Sequence, residues 1–492
     1  MHVGGESDAR VLPAKCPNKG GKPSAEGMEG RRATKENTGR TTASETQSWI
    51  NASNGLLGVR KAAKRDKRLQ FTALLHHVSA HLLLDSFYAL KRDAAPGVDG
   101  VTWKEYETDL DSRLKVLLGR VHQGTYRAQP SKRTYIPKAD GRQRPLGIAA
   151  LEDKIVQHAV VKILDQIYEQ DFLGFSYGFR PGRSQHDALD ALWVGIMRKK
   201  VNWVLDADIR DFFGSISHDW LIKFVEHRIA DGRILRLIRK WLKAGVSEEG
   251  NWSKTEVGVP QGSVASPLLA NIYLHYIFDL WARHWRTHRA AGDMIVVRYA
   301  DDIVLGFEHR TDAERFLQEW KDRLHKFGLE LHSGKTRLIE FGRFAIANRE
   351  RRDAGKPETF NFLGFTHICG KTRRNGRFTV TRKTIRKRLT AKLRELKEEL
   401  RRRWHEPRDE VGKWLRSVVQ GYFNYHAVPG NTDSLNSFRT QVLWCWHRAL
   451  QRRSQKGRMT WERFASSSVR WIPNPQVLHP YPDLRFDATH PR

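Results

Sequence analysis

Two apolar runs, Met294-Ile295-Val296-Val297-Arg298-Tyr299 and Ile303-Val304-Leu305-Gly306-Phe307, stand on either side of Ala300-Asp301-Asp302, and no other feature restricts the fold of this chain so tightly. Both are too short for a helix and rich in β-branched and aromatic residues, so they read as two strands of a hairpin. Adjacent carboxylates at its tip repel each other, and either a raised pKa or a divalent cation must relieve them. Most Asp-Asp pairs in loops are solvated turns that bind nothing, so the pair gains meaning only from its company. The run Trp203-Val204-Leu205-Asp206-Ala207-Asp208 is a strand that delivers Asp208 at its C-terminal end, where a neighbouring strand would set it beside Asp301. Carboxylates from adjacent strands can hold two Mg²⁺ ions about 3.5 to 4 Å apart, an arrangement that activates a hydroxyl and stabilises a leaving pyrophosphate. Phosphoryl transfer is the chemistry this pattern predicts.

The surrounding chain alternates. After the strand at Asp208 come an amphipathic helix over Asp219 to Leu242, the turn Gly258-Val259-Pro260-Gln261-Gly262-Ser263, a helix from Ser266 to about Trp285, the hairpin, and a helix over Thr311 to Phe327. That order predicts a split βαβ sheet backed by helices. Upstream, Gly124 to Arg127 through Tyr135 to Lys138, with Arg144 to Ile148, reads as two short strands around the basic turn Ala139 to Arg142, followed by a helix from Leu151 to about Gln170. Downstream of the apolar segment Phe360 to Ile368, Arg382 to Arg403 reads as a basic helix with Leu389, Leu393, Leu396 and Leu400 on one stripe. Six of the sixteen tryptophans fall between Trp404 and Trp471, which predicts a packed helical domain there. Residues 1–55 hold only seven large apolar side chains and are expected to be mostly disordered.

Lys plus Arg number 86 against 55 Asp plus Glu, a net charge of +31, and a chain with that excess needs a polyanionic partner; nucleic acid leads. The three cysteines are too few and too scattered for a disulfide framework or a paired metal clamp, which fits a reducing compartment. No apolar run approaches the roughly 18 residues of a membrane span, and the N-terminus has no secretory core, so the expectation is a soluble intracellular protein with no membrane partner.

Tyr299-Ala300-Asp301-Asp302 resembles the catalytic motif of reverse transcriptases. Asp206-Ala207-Asp208-Ile209-Arg210-Asp211-Phe212-Phe213 resembles their first catalytic strand, with Asp208 rather than Asp206 or Asp211 in the metal position. The run from Gly258 through Pro260-Gln261-Gly262-Ser263 to Leu274 is similar to the long motif of group II intron-encoded enzymes. Gly97 to Gly100, Arg144 to Ile148, Ser176 to Ser184, Gly334-Lys335-Thr336 and Asn361 to Phe365 match the same family in the same order, over about residues 56 to 492. The resemblance implies an α+β right-hand polymerase, with fingers and a split βαβ palm followed by an α-helical thumb or maturase domain. The corresponding boundaries are 56–370 for fingers and palm, 371–455 for the thumb, and 456–492 for a short extension or reduced DNA-binding region.

The same resemblance assigns roles. Asp208, Asp301 and Asp302 would be catalytic and, with the Ile209 carbonyl, hold two Mg²⁺ ions. Lys138 and Arg144 would meet the triphosphate of an incoming dNTP, Lys as a point charge and Arg as a fork. Phe213 would press on the sugar and exclude ribonucleotides, or else belong to the core, since Phe212 and Phe213 face opposite sides if the strand continues. Gln261 would touch the nucleotide, and Gly262 would let backbone approach the template. Ser263 departs from the usual Gly. Lys335 would protonate the leaving pyrophosphate, and Arg180, Gly262, Tyr299, Leu363 and Gly364 would line the template and primer. The implied partners are group II intron RNA, a DNA target and primer, and the RNA/DNA heteroduplex, bound by a monomer or homodimer in a cytoplasmic, nucleoid-associated ribonucleoprotein. The His-Asn-His endonuclease and paired CxxC motifs of many relatives are missing from the sequence, so target-strand cleavage is expected to be absent, or supplied by reverse splicing or a replication fork. Two rivals remain: a domesticated or defence reverse transcriptase without an intron, and an RNA-folding cofactor with an inert polymerase site.

Overall fold

The computed structural model describes residues 55–137, 143–248, 250–372, 374–453, 459–468 and 470–489. Lys138 and the segment expected to be disordered, apart from Gly55 at the start of a helix over 55–65, lie outside the described residues. The chain is mixed α and β and separates into two compact units, one of residues 389–479 and the other of residues 55–388 with 480–489.

In the larger unit the hairpin strands Met294–Tyr299 and Asp302–Phe307 join Trp203–Asp208 and Arg337–Glu340 in one antiparallel sheet, with Trp203–Asp208 between Asp302–Phe307 and Arg337–Glu340. All six residues of Met294–Tyr299 are buried. Behind the sheet the helix Ser266–Leu274 runs through a π-helical turn, His275–Asp279, into Leu280–His288, and Arg310–Lys326 packs alongside. Trp285, Phe307, Phe316 and Trp320 are fully buried and in ring contact with one another, giving the sheet a rigid aromatic floor.

Three elements depart from the sequence expectation, each for a local reason. The helix expected over Asp219 to Leu242 is two helices, His218–Glu226 and Gly232–Lys243. The break falls at Asp231, whose carboxylate caps the second helix through the Arg233 N–H and accepts the Leu74 and Leu75 N–H groups 157 and 156 residues away. Gly124 to Arg127 is not strand. Gly124, at φ 79°, ends the helix Leu110–Gln123, and the Tyr126 hydroxyl turns inward to Asp153. The strand begins at Ser131 and pairs antiparallel with Gln143–Ile148 and parallel with Val246–Glu248. Finally, Arg382 lies in the strand Phe378–Thr384, and the basic helix starts only at Arg386. Val380, Arg382 and Thr384 alternate inward, and the buried Arg382 guanidinium pairs with Asp190 at 2.9 Å.

That strand belongs to a three-stranded sheet with Phe365–Lys371 and Phe360–Phe362, and Trp193 donates its indole N–H to the Val380 carbonyl at 2.9 Å. The larger unit thus runs on to residue 388, past the expected boundary at 370. The terminal segment does not form one extension. Helix Trp461–Ser468 packs within the smaller unit, whereas Pro482–Thr489 lies on the helix Gln185–Arg198 through Arg198–Asp487 at 2.7 Å and Arg485–Asp190 at 3.1 Å.

In the smaller unit the leucine stripe is buried as its spacing demands: Leu393, Leu396 and Leu400 meet Val411, Leu415 and Val419 of Arg408–His426 and Phe438, Val442 and Trp446 of Thr432–Gln451. Phe423, Phe438, Trp446 and Phe464 are buried in the same core, in keeping with the packed helical domain that the tryptophan content predicts. Cys369 and Cys445 are free thiols, and among the described residues no helix is long and apolar enough to cross a membrane.

Candidate active site

Asp208, the last residue of its strand, lies directly opposite Asp302 in the antiparallel register. Asp301 sits in the turn between the hairpin strands, and its carboxyl is pushed above the ordinary range, first by burial and then by the charge of Asp208, while Arg144 and Lys335 draw it back. Lys335 forms an ion pair with Asp208 Oδ2. Its loop is tied to the same strand, because His332 N–H donates to the Asp208 carbonyl at 2.8 Å and Lys335 N–H to the His332 carbonyl at 3.0 Å. Asp206, on the same face as Asp208, is held by Arg337 at 3.7 Å and pushed up to about 6 by burial. Asp211 turns away in a left-handed conformation at φ 41°.

Among the described residues no three His, Cys, Asp or Glu side chains already stand as a metal-ligand cluster. The donors gathered at this sheet edge are nonetheless hard oxygens of the kind Mg²⁺ takes. They include the Ile209 carbonyl: Asp208 C=O and Arg210 N–H both face the 330–332 segment, so strand alternation aims Ile209 C=O the other way, toward the hairpin. A cation would relieve the Asp208–Asp301 repulsion that the raised Asp301 pKa records, so the residues fit the ion.

The hairpin turn is held by a network that sequence reasoning missed. Arg298, in the middle of an apolar strand, is fully buried and spends its guanidinium inside the protein. It donates to both oxygens of the buried Asp279 (2.7 and 2.6 Å), to Asn271 Oδ1 (3.0 Å), to Ser176 Oγ (2.6 Å) and to the Ala300 carbonyl (3.1 Å). Ala300 occupies φ 55°, and a Cβ on Gly178 would lie 2.2 Å from its nitrogen, so the Ser176 to Ser184 loop presses backbone on backbone against the turn. The one charged residue in a buried strand, with a lone Asp and Asn in the apolar helix before it, was the available signal.

Facing the carboxylates is the hairpin of Ser131–Pro137 and Gln143–Ile148, where Arg144 pairs in register with Ile136 and its charge reaches Asp301. Gly262, at φ 107°, rests against this hairpin: a Cβ there would lie 2.8 Å from the Gly147 carbonyl, and Gly147 N–H donates to the Gln261 carbonyl at 2.6 Å. Gln261 Oε1 is buried without a hydrogen-bond partner among the described residues. Ser263 bonds Gln157 Oε1 at 2.8 Å.

The strand ends at Asp208, as its sequence reads, and Phe212–Ser215 is a single helical turn, so strand alternation does not set the two phenylalanines apart. Phe212 is core, while the half-buried Phe213 meets Phe179, which in turn meets Tyr299, each at a ring separation of 6.5 Å. Arg180 is buried, with its donors taken by Glu169 and by the Leu173 and Ser176 carbonyls, so it braces the loop rather than facing outward. Leu363 and Gly364, at φ 43° and 84°, form the two-residue turn joining Phe360–Phe362 to Phe365–Lys371.

Carboxylates gathered at a strand end, a cation-bearing hairpin opposite and a glycine turn packed against that hairpin form an arrangement that can support nucleotidyl transfer. The comparisons with known proteins narrow that class. Residues 136–367 match the reverse transcriptase (RNA-dependent DNA polymerase) family. Protein YkfC of Escherichia coli K12 is 37% identical over 275 residues, 49% of this chain and 72% of YkfC. The group II intron-encoded protein LtrA of Lactococcus lactis subsp. cremoris is 43% identical over 168 residues, 34% of this chain and 27% of LtrA. A 91 kDa protein in the cob intron of Schizosaccharomyces pombe is 45% identical over 148 residues, 30% of this chain and 18% of its own length. The chain belongs to the reverse transcriptases, RNA-directed DNA polymerases, and among them to the group II intron reverse transcriptase/maturase family.

Proposed function

We propose that this protein copies a group II intron RNA into DNA by target-primed reverse transcription and also binds that RNA as a maturase to promote its splicing. The larger unit supplies the fingers and palm, and the helical unit the thumb or maturase domain. The observation that carries the catalytic reading is the register Asp208 opposite Asp302, with Asp301 in the adjoining turn electrostatically joined to both Asp208 and Arg144. Two Mg²⁺ ions held by Asp208, Asp301, Asp302 and the Ile209 carbonyl would lower the pKa of a primer 3′-hydroxyl and neutralise charge on the leaving pyrophosphate. Arg144 and Lys138 orient the triphosphate of the dNTP, and Gln261 touches the nucleotide. Phe213, half-buried beside Phe179, stands against the sugar and disfavours a 2′-hydroxyl. Lys335 carries a proton within reach of Asp208 and gives it to the departing pyrophosphate. Gly262, Leu363 and Gly364 line the template and primer, whereas Tyr299 is buried in its strand and supports the turn from behind. The DNA target and the RNA/DNA heteroduplex meet a surface whose +31 charge attracts both.

The test is extension of a DNA primer on an RNA template by the purified protein. Asp301→Ala with Asp302→Ala should abolish extension while leaving affinity for RNA unchanged; extension that persists would show the site to be elsewhere. Catalytic intron RNA in the DNA flanking the gene separates this reading from that of an intron-free reverse transcriptase.

A further inference from the structure

The helix Thr432–Gln451 buries Leu435, Phe438, Val442, Leu443, Trp446 and His447 on one side. Its outward face is polar, through Ser437, Thr440, Gln441 and Arg448, with one exception. Trp444 lies on that face with 46% of its surface exposed. An indole of that size left in water needs a reason, because burying it would gain far more.

Its geometry supplies one. One face of the Trp444 ring stacks on Trp461 at 4.5 Å and 16°. Trp461 is anchored in turn against Phe464 at 5.8 Å and His447 at 5.5 Å, both buried. The outer ring is therefore fixed in orientation while much of its surface stays open. Arg448 is exposed on the same helix one turn further along. Glu462, beside Trp461, is an opposing charge. Across residues 389–479 the balance is 17 Lys and Arg to 8 Asp and Glu.

We propose that Trp444, backed by Trp461 and followed one turn on by Arg448, is a stacking platform for an unpaired base of RNA. This rests on the reading of the helical unit as an RNA-binding maturase domain and adds the chemical form of the ligand. A base in a duplex has both faces covered by its neighbours, so only a looped or bulged nucleotide can lay its ring on the indole while its phosphate meets the arginine. A protein partner would be expected to find further apolar side chains along this helix face, and the exposed residues around Trp444 on the helix are Ser437, Thr440, Gln441 and Arg448.

The experiment uses the full chain and two RNA probes of equal length, a hairpin with a single-stranded loop and a fully paired duplex, read by fluorescence anisotropy at fixed salt. Trp444→Ala should weaken binding of the looped RNA roughly 5- to 150-fold, the range that loss of one base stack produces, with duplex affinity unchanged. Trp444→Phe should retain most of the loop affinity, and the circular dichroism spectrum and urea unfolding midpoint of Trp444→Ala should match those of the wild type, showing that the fold is intact. Equal affinity of Trp444→Ala for the looped RNA, or equal losses on both probes, overturns the proposal. Unchanged loop binding with a change of oligomeric state would identify the face as a protein contact, which also overturns it. Wild-type protein that binds neither probe would remove the RNA-binding reading itself, a result distinct from failure of the platform alone.

Discussion

Replacing Arg298 with Met separates two things the guanidinium does: it neutralises Asp279, and it holds the turn that carries Asp301. Asp279 and Arg298 are both without exposed surface, so Arg298→Met leaves a carboxylate stranded in the core. Removing one partner of such a pair costs about 3–5 kcal/mol. Asn271, Ser176 and the Ala300 carbonyl also lose donors, at about 1 kcal/mol each where no water replaces them. The double variant Arg298→Met, Asp279→Leu removes both charges, and apolar replacements of buried pairs are often neutral, so most of the stability should return. Activity should not. The Ala300 carbonyl still lacks its anchor, and a displacement of about 1 Å at a reacting group costs on the order of 100-fold in rate. Urea unfolding midpoints give the first quantity and single-turnover primer extension the second. Recovery of full activity in the double variant would refute the positioning role, and a loss below about 1 kcal/mol in the single variant would refute the burial argument.

Two further outcomes follow from particular contacts. Gly178→Ala places a methyl 2.2 Å from the Ala300 nitrogen, so the turn must move; extension should slow about 100-fold, with a smaller change in KM for dNTP, and a rate within threefold of wild type would exclude that contact as a constraint. His367 is fully buried and stacked on Phe360 at 4.8 Å, and burial followed by the Arg382 charge pushes its pKa down to about 3, against the opposing pull of a backbone hydrogen bond with Phe365. In the unfolded chain it titrates near 6.5, so between about pH 6.5 and 3 the unfolded state binds the extra proton and His367 progressively destabilises the fold, with no such effect above that window. His367→Phe should therefore gain stability relative to wild type on going from pH 7.5 to pH 5, and an identical difference in unfolding midpoint at the two values would contradict the burial of a neutral imidazole.

Much of the site was legible because catalysis concentrates rare residue types at short spacing. An Asp-Asp pair between apolar runs, an Asp at a strand end and a Pro-Gln-Gly turn can be read without coordinates, since strand alternation and backbone freedom at glycine are local properties. The leucine stripe of Arg386–Arg402 was equally plain, and it is buried as read. Local pattern failed where a long-range partner outweighed it. Asp231 breaks a continuous helical periodicity because Leu74 and Leu75 need its carboxylate, and Arg382 reads as part of a basic helix until Asp190 buries it in a strand.

The order of motifs along the chain therefore determined the family and its chemistry and singled out the acidic residues proposed to carry it, all of which depend on residue type and near neighbours. Tertiary structure alone decided how those acids are held: that Arg298 reaches Asp279, Asn271, Ser176 and the Ala300 carbonyl at once, that Gly178 closes on the turn, and that Arg180 braces a loop. Such contacts join residues as many as 122 positions apart, and no periodicity encodes which buried charge will find which partner.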